Sequence, residues 1–213
     1  MTRRTPKRAA AGGKASHKPA AERIRESAQE LFYLEGIRAV GVDRIVTRAG
    51  VTKPSLYRSF PSKDELAAGY LRDHGDDYLR RFDAAIAEKP DNPRGQLRLW
   101  LSALSEKAAK ADYRGCGVTN AAVEYPERDH PARKAAMENK RKFRARLKKL
   151  CDAMGAGNGS ALADALLLLI EGAYMSGQLF ARGGPARVIV EAADMLVDAH
   201  LRAAQKASSG RGT

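Results

Sequence analysis

The chain has 213 residues, 44% of them apolar and 30% charged, with a formal net charge of +13 and two cysteines. That length buries a sizeable core without covalent staples, and two cysteines are too few for a secreted disulfide scaffold, so a reducing, cytoplasmic setting is expected. The longest unbroken apolar run, residues 165–170, is far short of a bilayer span and argues against a membrane protein.

The positive charge is concentrated. Residues 1–18 carry Arg3, Arg4, Lys7, Arg8, Lys14 and Lys18 with no acid, and residues 133–149 carry nine Lys or Arg against Glu138 alone. The remainder is close to neutral, so each basic stretch needs its own explanation.

Residues 1–17 have almost no apolar bulk and read as a disordered basic arm; residues 207–213 read as a polar tail. Between them apolar residues recur at three and four, which predicts an all-α fold of about nine helices. The first helix, over 18–35, places Ile24, Ala28, Leu31 and Phe32 on one face and stops at Gly36. Short helices follow at 42–49 and 53–60. Ser62-Lys63-Asp64-Glu65 is a capping box opening a long helix to about residue 88. Pro90 and Pro93 mark a turn, with Asn92 a cap for a helix over 93–110. A shorter helix spans 117–125. Asp129, His130 and Pro131 start another that reaches about residue 153, with an apolar stripe of Ala136, Phe143, Leu147 and Leu150. Two apolar helices, 160–181 and 185–205, close the chain on either side of Gly183-Gly184-Pro185.

The last two helices carry Leu162, Leu166, Leu169, Ala173, Gly177 and Phe180, then Val188, Ile189, Ala192, Met195, Leu196 and Ala199. Gly172, Ala173, Ser176 and Gly177 would let another helix approach closely. Two adjacent helices this apolar predict a homodimer, packed as a four-helix bundle across a two-fold axis.

The most specific stretch is residues 42–60. Two short helices are joined by Ala49-Gly50-Val51-Thr52, in which glycine permits the sharp turn and Val51 plugs the angle. This is a helix-turn-helix layout, whose second helix reads the major groove. Thr52 can cap that helix and Pro54 is tolerated in its first turn. Leu56 and Phe60 face inward, leaving Lys53, Ser55, Tyr57 and Arg58 on or beside the outer face, a mix suited to base edges and phosphates.

The segment GVTKPSLYRSFPSKDEL, with the preceding helix RIRESAQELFYLEG, resembles the DNA-binding signature of TetR-type (TetR/AcrR, tetracycline-repressor-like) transcriptional regulators over about residues 20–70. The resemblance implies a DNA-binding domain over 18–65 and a helical ligand-binding and dimerisation domain over 66–206. It also implies that Arg44 contacts DNA and that Lys53, Ser55 and Arg58 lie in or near the groove. Tyr57 would reach a phosphate, and Lys63 would hold the backbone at the start of the fourth helix. Gly41 and Val46 depart from the family pattern, which usually has a Ser or Thr cap and a small alanine there.

A small-molecule effector is the partner this reading adds to a double-stranded operator. His74, Trp100, Asn120, Glu124, Tyr174 and Gln178 are the candidate ligand-binding residues, with Tyr113, Tyr125, Phe143 and Met175 as further lining. Cys116, between two glycines, reads as an exposed thiol and Cys151 as core. His74, His130 and His200 share no metal-ligand spacing with the cysteines, and no phosphate-cradling loop or nucleophile elbow is present. Neither cofactor nor enzyme activity is expected. The reading is a ligand-responsive repressor that binds a palindromic operator as a dimer. A non-specific DNA-architectural protein and an all-helical carrier or enzyme are the alternatives. The basic arm remains either DNA-binding or merely solubilising, and the basic helix either a solvated face, a second nucleic-acid surface or an entrance attracting an anionic ligand.

Overall fold

Nine α-helices and no strand make up the described residues, 18–209, of a computed structural model: α1 (Ala20–Glu35), α2 (Val42–Ala49), α3 (Lys53–Ser59), α4 (Lys63–Ala87), α5 (Pro93–Ala108), α6 (Gly117–Glu124), α7 (Pro131–Ala153), α8 (Gly159–Phe180) and α9 (Ile189–Ser209). The expected arm, residues 1–17, and residues 210–213 lie outside the described residues. A 3-10 turn, Pro185–Val188, leads into α9, and residues 207–209, expected in the tail, continue that helix.

The helix starts follow from side-chain caps. Thr52, Ser62, Asn92 and Asn158 each accept an N–H from the first turn of their helices. Only half of the expected box at 62–65 forms. Ser62 Oγ accepts the Glu65 N–H at 3.1 Å, whereas the Glu65 carboxylate lies 4.0 Å from Arg72. His130 caps α7 through Nδ1, which accepts the Ala132 N–H at 3.2 Å. Gly41 starts α2 with extended backbone and no side-chain cap, and a Cβ added there meets nothing within 4 Å. Gly41→Ser should therefore raise stability by a few tenths of a kcal/mol, about 1 °C in the thermal midpoint. Differential scanning calorimetry checks this.

One continuous apolar core runs from Ile24 in α1 to Val197 in α9. The α4 helix joins its two ends. Leu66 and Leu71 lie on its N-terminal half, which packs on α1, while Leu79 and Phe82 lie on its C-terminal half. Phe82 meets both Trp100 and Phe143 edge-on in this core, with ring centroids 5.2 Å apart in each pair. The expected stripe of α7 is buried in full.

The charge of α7 is largely neutralised by its neighbours. Arg146 bonds Asp83 of α4 at 2.8 Å, while Arg144 pairs with Asp164 and Lys140 with Glu171, both on α8. Lys148 pairs with Asp152 at 2.6 Å on the helix itself. These contacts make the basic helix a tie between α4 and α8, with Arg133, Arg141 and Lys149 left without an ion pair among the described residues. Solvent-exposed pairs of this kind contribute little each to stability.

The α8 helix, at 22 residues, is long and apolar enough to cross a membrane by length and composition, although Asp164 and Glu171 interrupt its apolar run. Leu162, Ala163, Leu166, Ile170, Ala173, Tyr174 and Gly177 are buried within this chain. The expected seam residues Leu162, Leu166, Ala173 and Gly177 are therefore already covered inside one protomer. The exposed apolar positions are Leu168, Met175, Leu179 and Phe180, with Val188 and Met195 beside them.

Candidate nucleic-acid interface and effector cavity

The α1–α3 head sets one side chain after another around the turn between α2 and α3. Gly50 occupies the left-handed region, at φ 61° and ψ 41°, which lets the chain leave α2 without a Cβ clash. Arg23 Nη1 donates to the Gly50 carbonyl at 3.2 Å, tying α1 to the turn. Leu56 is fully buried beneath α3, and Phe60 closes the underside with the Arg25 guanidinium 5.6 Å above its ring. The opposite face of α3 is open. Tyr57 is 50% exposed, and Lys53 and Arg58 are exposed beside it.

The polar groups of that face are organised before any ligand arrives. Arg58 Nη2 donates to Ser55 Oγ at 3.1 Å, and Ser55 Oγ lies 3.1 Å from Thr52 Oγ1. Lys53 bonds Asp43 at 2.8 Å, which raises the lysine pKa and holds its charge. Arg44 and Arg48 of α2 pair with Glu35 and Glu30 of α1. Lys63 behaves differently. Its ammonium donates to the Arg38 carbonyl at 3.3 Å, and partial burial lowers its pKa. The structure thus gathers Arg44, Lys53, Ser55, Tyr57 and Arg58 around the α2–α3 corner and sets Lys63 against the α1–α2 loop.

That loop is held by the C-terminal end of α6. The Glu124 carboxylate accepts the Arg38 N–H at 2.7 Å and packs over Gly36, whose φ of 91° and lack of Cβ make room for it. Arg38 lies 5.0 Å over the Tyr125 ring, Tyr125 stacks on His130 at 4.0 Å, and His130 Nε2 is 3.4 Å from Asp64. Nothing in the sequence spacing joined residues 36–38 to 124–130; the contact arises from tertiary packing.

The six candidate ligand residues fall in four places. Trp100 and Tyr174 line one cavity of about 240 Å³ together with Tyr78. Tyr174 donates a 2.5 Å hydrogen bond to the Tyr78 oxygen, and burial raises both phenol pKa values. Asn120 and Gln178 pair with each other at 3.5 Å beside Gly115, and Asn120 also donates to the Arg114 carbonyl at 2.7 Å. Glu124 belongs to the loop contact above. His74 sits between Tyr33 and Tyr70, at centroid distances of 6.4 and 5.7 Å. Arg81 and Lys107 also line the cavity, and the sequence reading omitted both.

Burial, with Lys107 and Arg81 nearby, pushes the His74 pKa down to about 4. The unfolded chain takes up this proton near pH 6.5 while the folded chain refuses it. Stability should therefore fall between pH 6.5 and 4, by up to about 3 kcal/mol from this group, and the loss should shrink in His74→Gln. Denaturant titrations across that range measure it. Cys116, expected to be exposed, is buried against the Lys140 ammonium, 3.5 Å from Sγ, because Gly115-Cys116-Gly117 turns inward to start α6. Cys151 is buried as expected, and its thiol is pushed up to about 12.

Comparison with known proteins bears on the head first. The family model for bacterial regulatory proteins of the tetR family matches residues 24–69. The transcriptional activator FasR of Mycolicibacterium smegmatis is 38% identical over 105 residues, covering 47% of this chain and 48% of that protein. The transcriptional regulator LmrA of Bacillus subtilis is 30% identical over 118 residues, covering 55% and 63%. The matched stretches are thus about half, and under two thirds, of those relatives' own lengths. Over the whole fold, a TetR-family regulator from Streptomyces coelicolor superposes with a TM-score of 0.76 at 32% identity, covering 87% of this chain and 95% of that one. A tetR-type regulator from Streptomyces avermitilis gives a TM-score of 0.77 at 28% identity, covering 86% and 98%. The chain belongs to the TetR family of bacterial transcriptional regulators, DNA-binding proteins and not enzymes.

Proposed function

We propose that this regulator is a cytoplasmic repressor that binds a palindromic operator as a homodimer and changes affinity when a small molecule enters its body. The observation that carries the reading is the open outer face of α3, with Lys53, Tyr57 and Arg58 exposed above a fully buried Leu56. Residues 18–65 supply the DNA contacts, and residues 66–206 supply the dimer and the effector site. Base edges and phosphates compete for Arg44 and Lys53 against Glu35 and Asp43, so these pairs open on binding. The exposed apolar row on α8 and α9 supports the dimer, which sets two recognition helices about 34 Å, or a multiple, apart.

The contact of Glu124 with Gly36 and Arg38 gives the effector a route to the head. Occupancy of the cavity moves the head only to the extent that the effector binds the two head positions with different affinity. Repression is the simplest output, through occlusion of the promoter. The relative FasR bears the name of an activator, so a reporter gene placed behind the operator decides the sign. Selection of genomic fragments by the protein, followed by sequencing, tests the whole reading. An inverted repeat bound far more tightly than random duplex at the same salt supports it, whereas equal binding of both points to an architectural protein.

A further inference from the structure

We infer that the effector is a small aromatic monocarboxylate, its ring held by Trp100, Tyr78 and Tyr174 and its carboxylate by Lys107. The inference rests on the effector reading above and specifies the ligand that the cavity takes.

Three observations carry it. The inner part of the cavity is an aromatic box. Trp100 meets Tyr78 edge-on with centroids 5.1 Å apart, and the Tyr174 hydroxyl bonds that of Tyr78. Its volume of about 240 Å³ is below the range usual for drug-sized ligands, and suits roughly one or two fused rings. The outer part, about 420 Å³, shares Arg81, Ala103 and Lys107 with the inner one, so the two lie side by side against these residues.

The charges around these residues are unevenly matched. Arg81 is already 2.9 Å from Asp77, whereas Lys107, exposed at the mouth, has no ion pair among the described residues, and the protein crowded against it lowers its pKa by desolvation. A cation in this position gains most from an anion delivered beside it. With Arg81 matched by Asp77, the outer part sets Lys107 and Lys110 against Glu106 and Asp112. A diphosphate or other polyanion would meet those two carboxylates, so a single carboxylate on Lys107 is the charge this site accepts.

Two residues of the walls, Tyr113 and Trp100, also carry buried donors, Oη and Nε1, with no hydrogen-bond partner among the described residues. Native interiors leave few such groups unsatisfied.

Trp100 is the chain's single tryptophan, so its emission reports on this cavity alone. The test titrates full-length protein with phenylpropanoate, phenylpropanamide and phenylpropylamine, and with naphthoate and naphthamide. It follows Trp100 emission for occupancy and calorimetry for affinity. At least one carboxylate should bind tenfold or more tightly than its own amide, and Lys107→Met should remove that preference while leaving amide affinity within twofold. Amides or the amine binding as well as the acids, a preference that survives Lys107→Met, or no binding by any probe would each overturn the inference. Release of the selected operator is then scored separately. Carboxylates that bind through Lys107 without altering operator affinity leave the site assignment standing and contradict the effector reading. An amide that releases DNA contradicts the charge assignment alone.

Discussion

The double substitution Leu168→Glu with Met175→Glu should convert the protein from a dimer to a folded monomer of 23.1 kDa and lower operator affinity by more than about 100-fold. The two side chains are 75% and 51% exposed within one protomer. Placing a carboxylate at each therefore leaves the protomer's own core untouched, and surface changes of this kind usually alter stability by about 0.5 kcal/mol or less. If a second copy covers this row, four carboxylates per dimer are buried without partners, at several kcal/mol each. Sedimentation velocity gives the mass, and helical content by circular dichroism confirms that the monomer is folded. A variant that stays dimeric places the interface elsewhere.

The second large effect is expected at α3. Lys53→Ala combined with Tyr57→Ala removes two exposed groups from a helix whose stability rests on Leu56, Phe60 and the Thr52 cap. Fold and dimer should be unchanged. Loss of a base or phosphate contact costs about 1–3 kcal/mol, and in a symmetric dimer each of the two losses occurs at both half-sites, about 4 kcal/mol at the least, so operator affinity should fall by roughly several hundred-fold or more. Random-sequence binding should fall less, because it rests on phosphate neutralisation alone. Titration of the operator and of a scrambled duplex at one salt concentration separates the two effects.

The head was readable in the sequence because its determinants are local. Gly50 sits where the chain needs a left-handed residue, Thr52 caps within three positions, and Ser62 caps the next helix. Helix limits elsewhere were equally local, set by Asn92, Asn158 and the prolines that follow or precede the turns. What the sequence reading missed depends on distant pieces meeting. Glu124 carries no mark of its contact with Gly36 and Arg38, some 86 residues away. The aromatic cavity draws on α4, α5 and α8, so Trp100 and Tyr174 could be named from residue type, whereas Arg81 and Lys107 look like ordinary surface cations until α4 packs beside α5. The proposed dimer face shows the same limit. Apolar periodicity selected α8 and α9 but could not divide their residues between the core of one protomer and its outer row.

The net charge of +13 also acquires a distribution. The α7 cations are largely matched by carboxylates from α4, α8 and α7 itself, and Arg48, Arg44 and Lys53 of the head are held by Glu30, Glu35 and Asp43. DNA recognition in this account is therefore the work of a placed set of side chains on α3 and not of bulk positive potential.

Hydroxyl-radical footprinting of the dimer on its selected operator tests that account most directly. The result expected is two protected segments related by a two-fold axis, their centres about 34 Å or a multiple apart, both lost together in the Lys53→Ala, Tyr57→Ala protein. A single protected segment, uniform protection along the duplex, or a footprint unchanged by the two substitutions would contradict it.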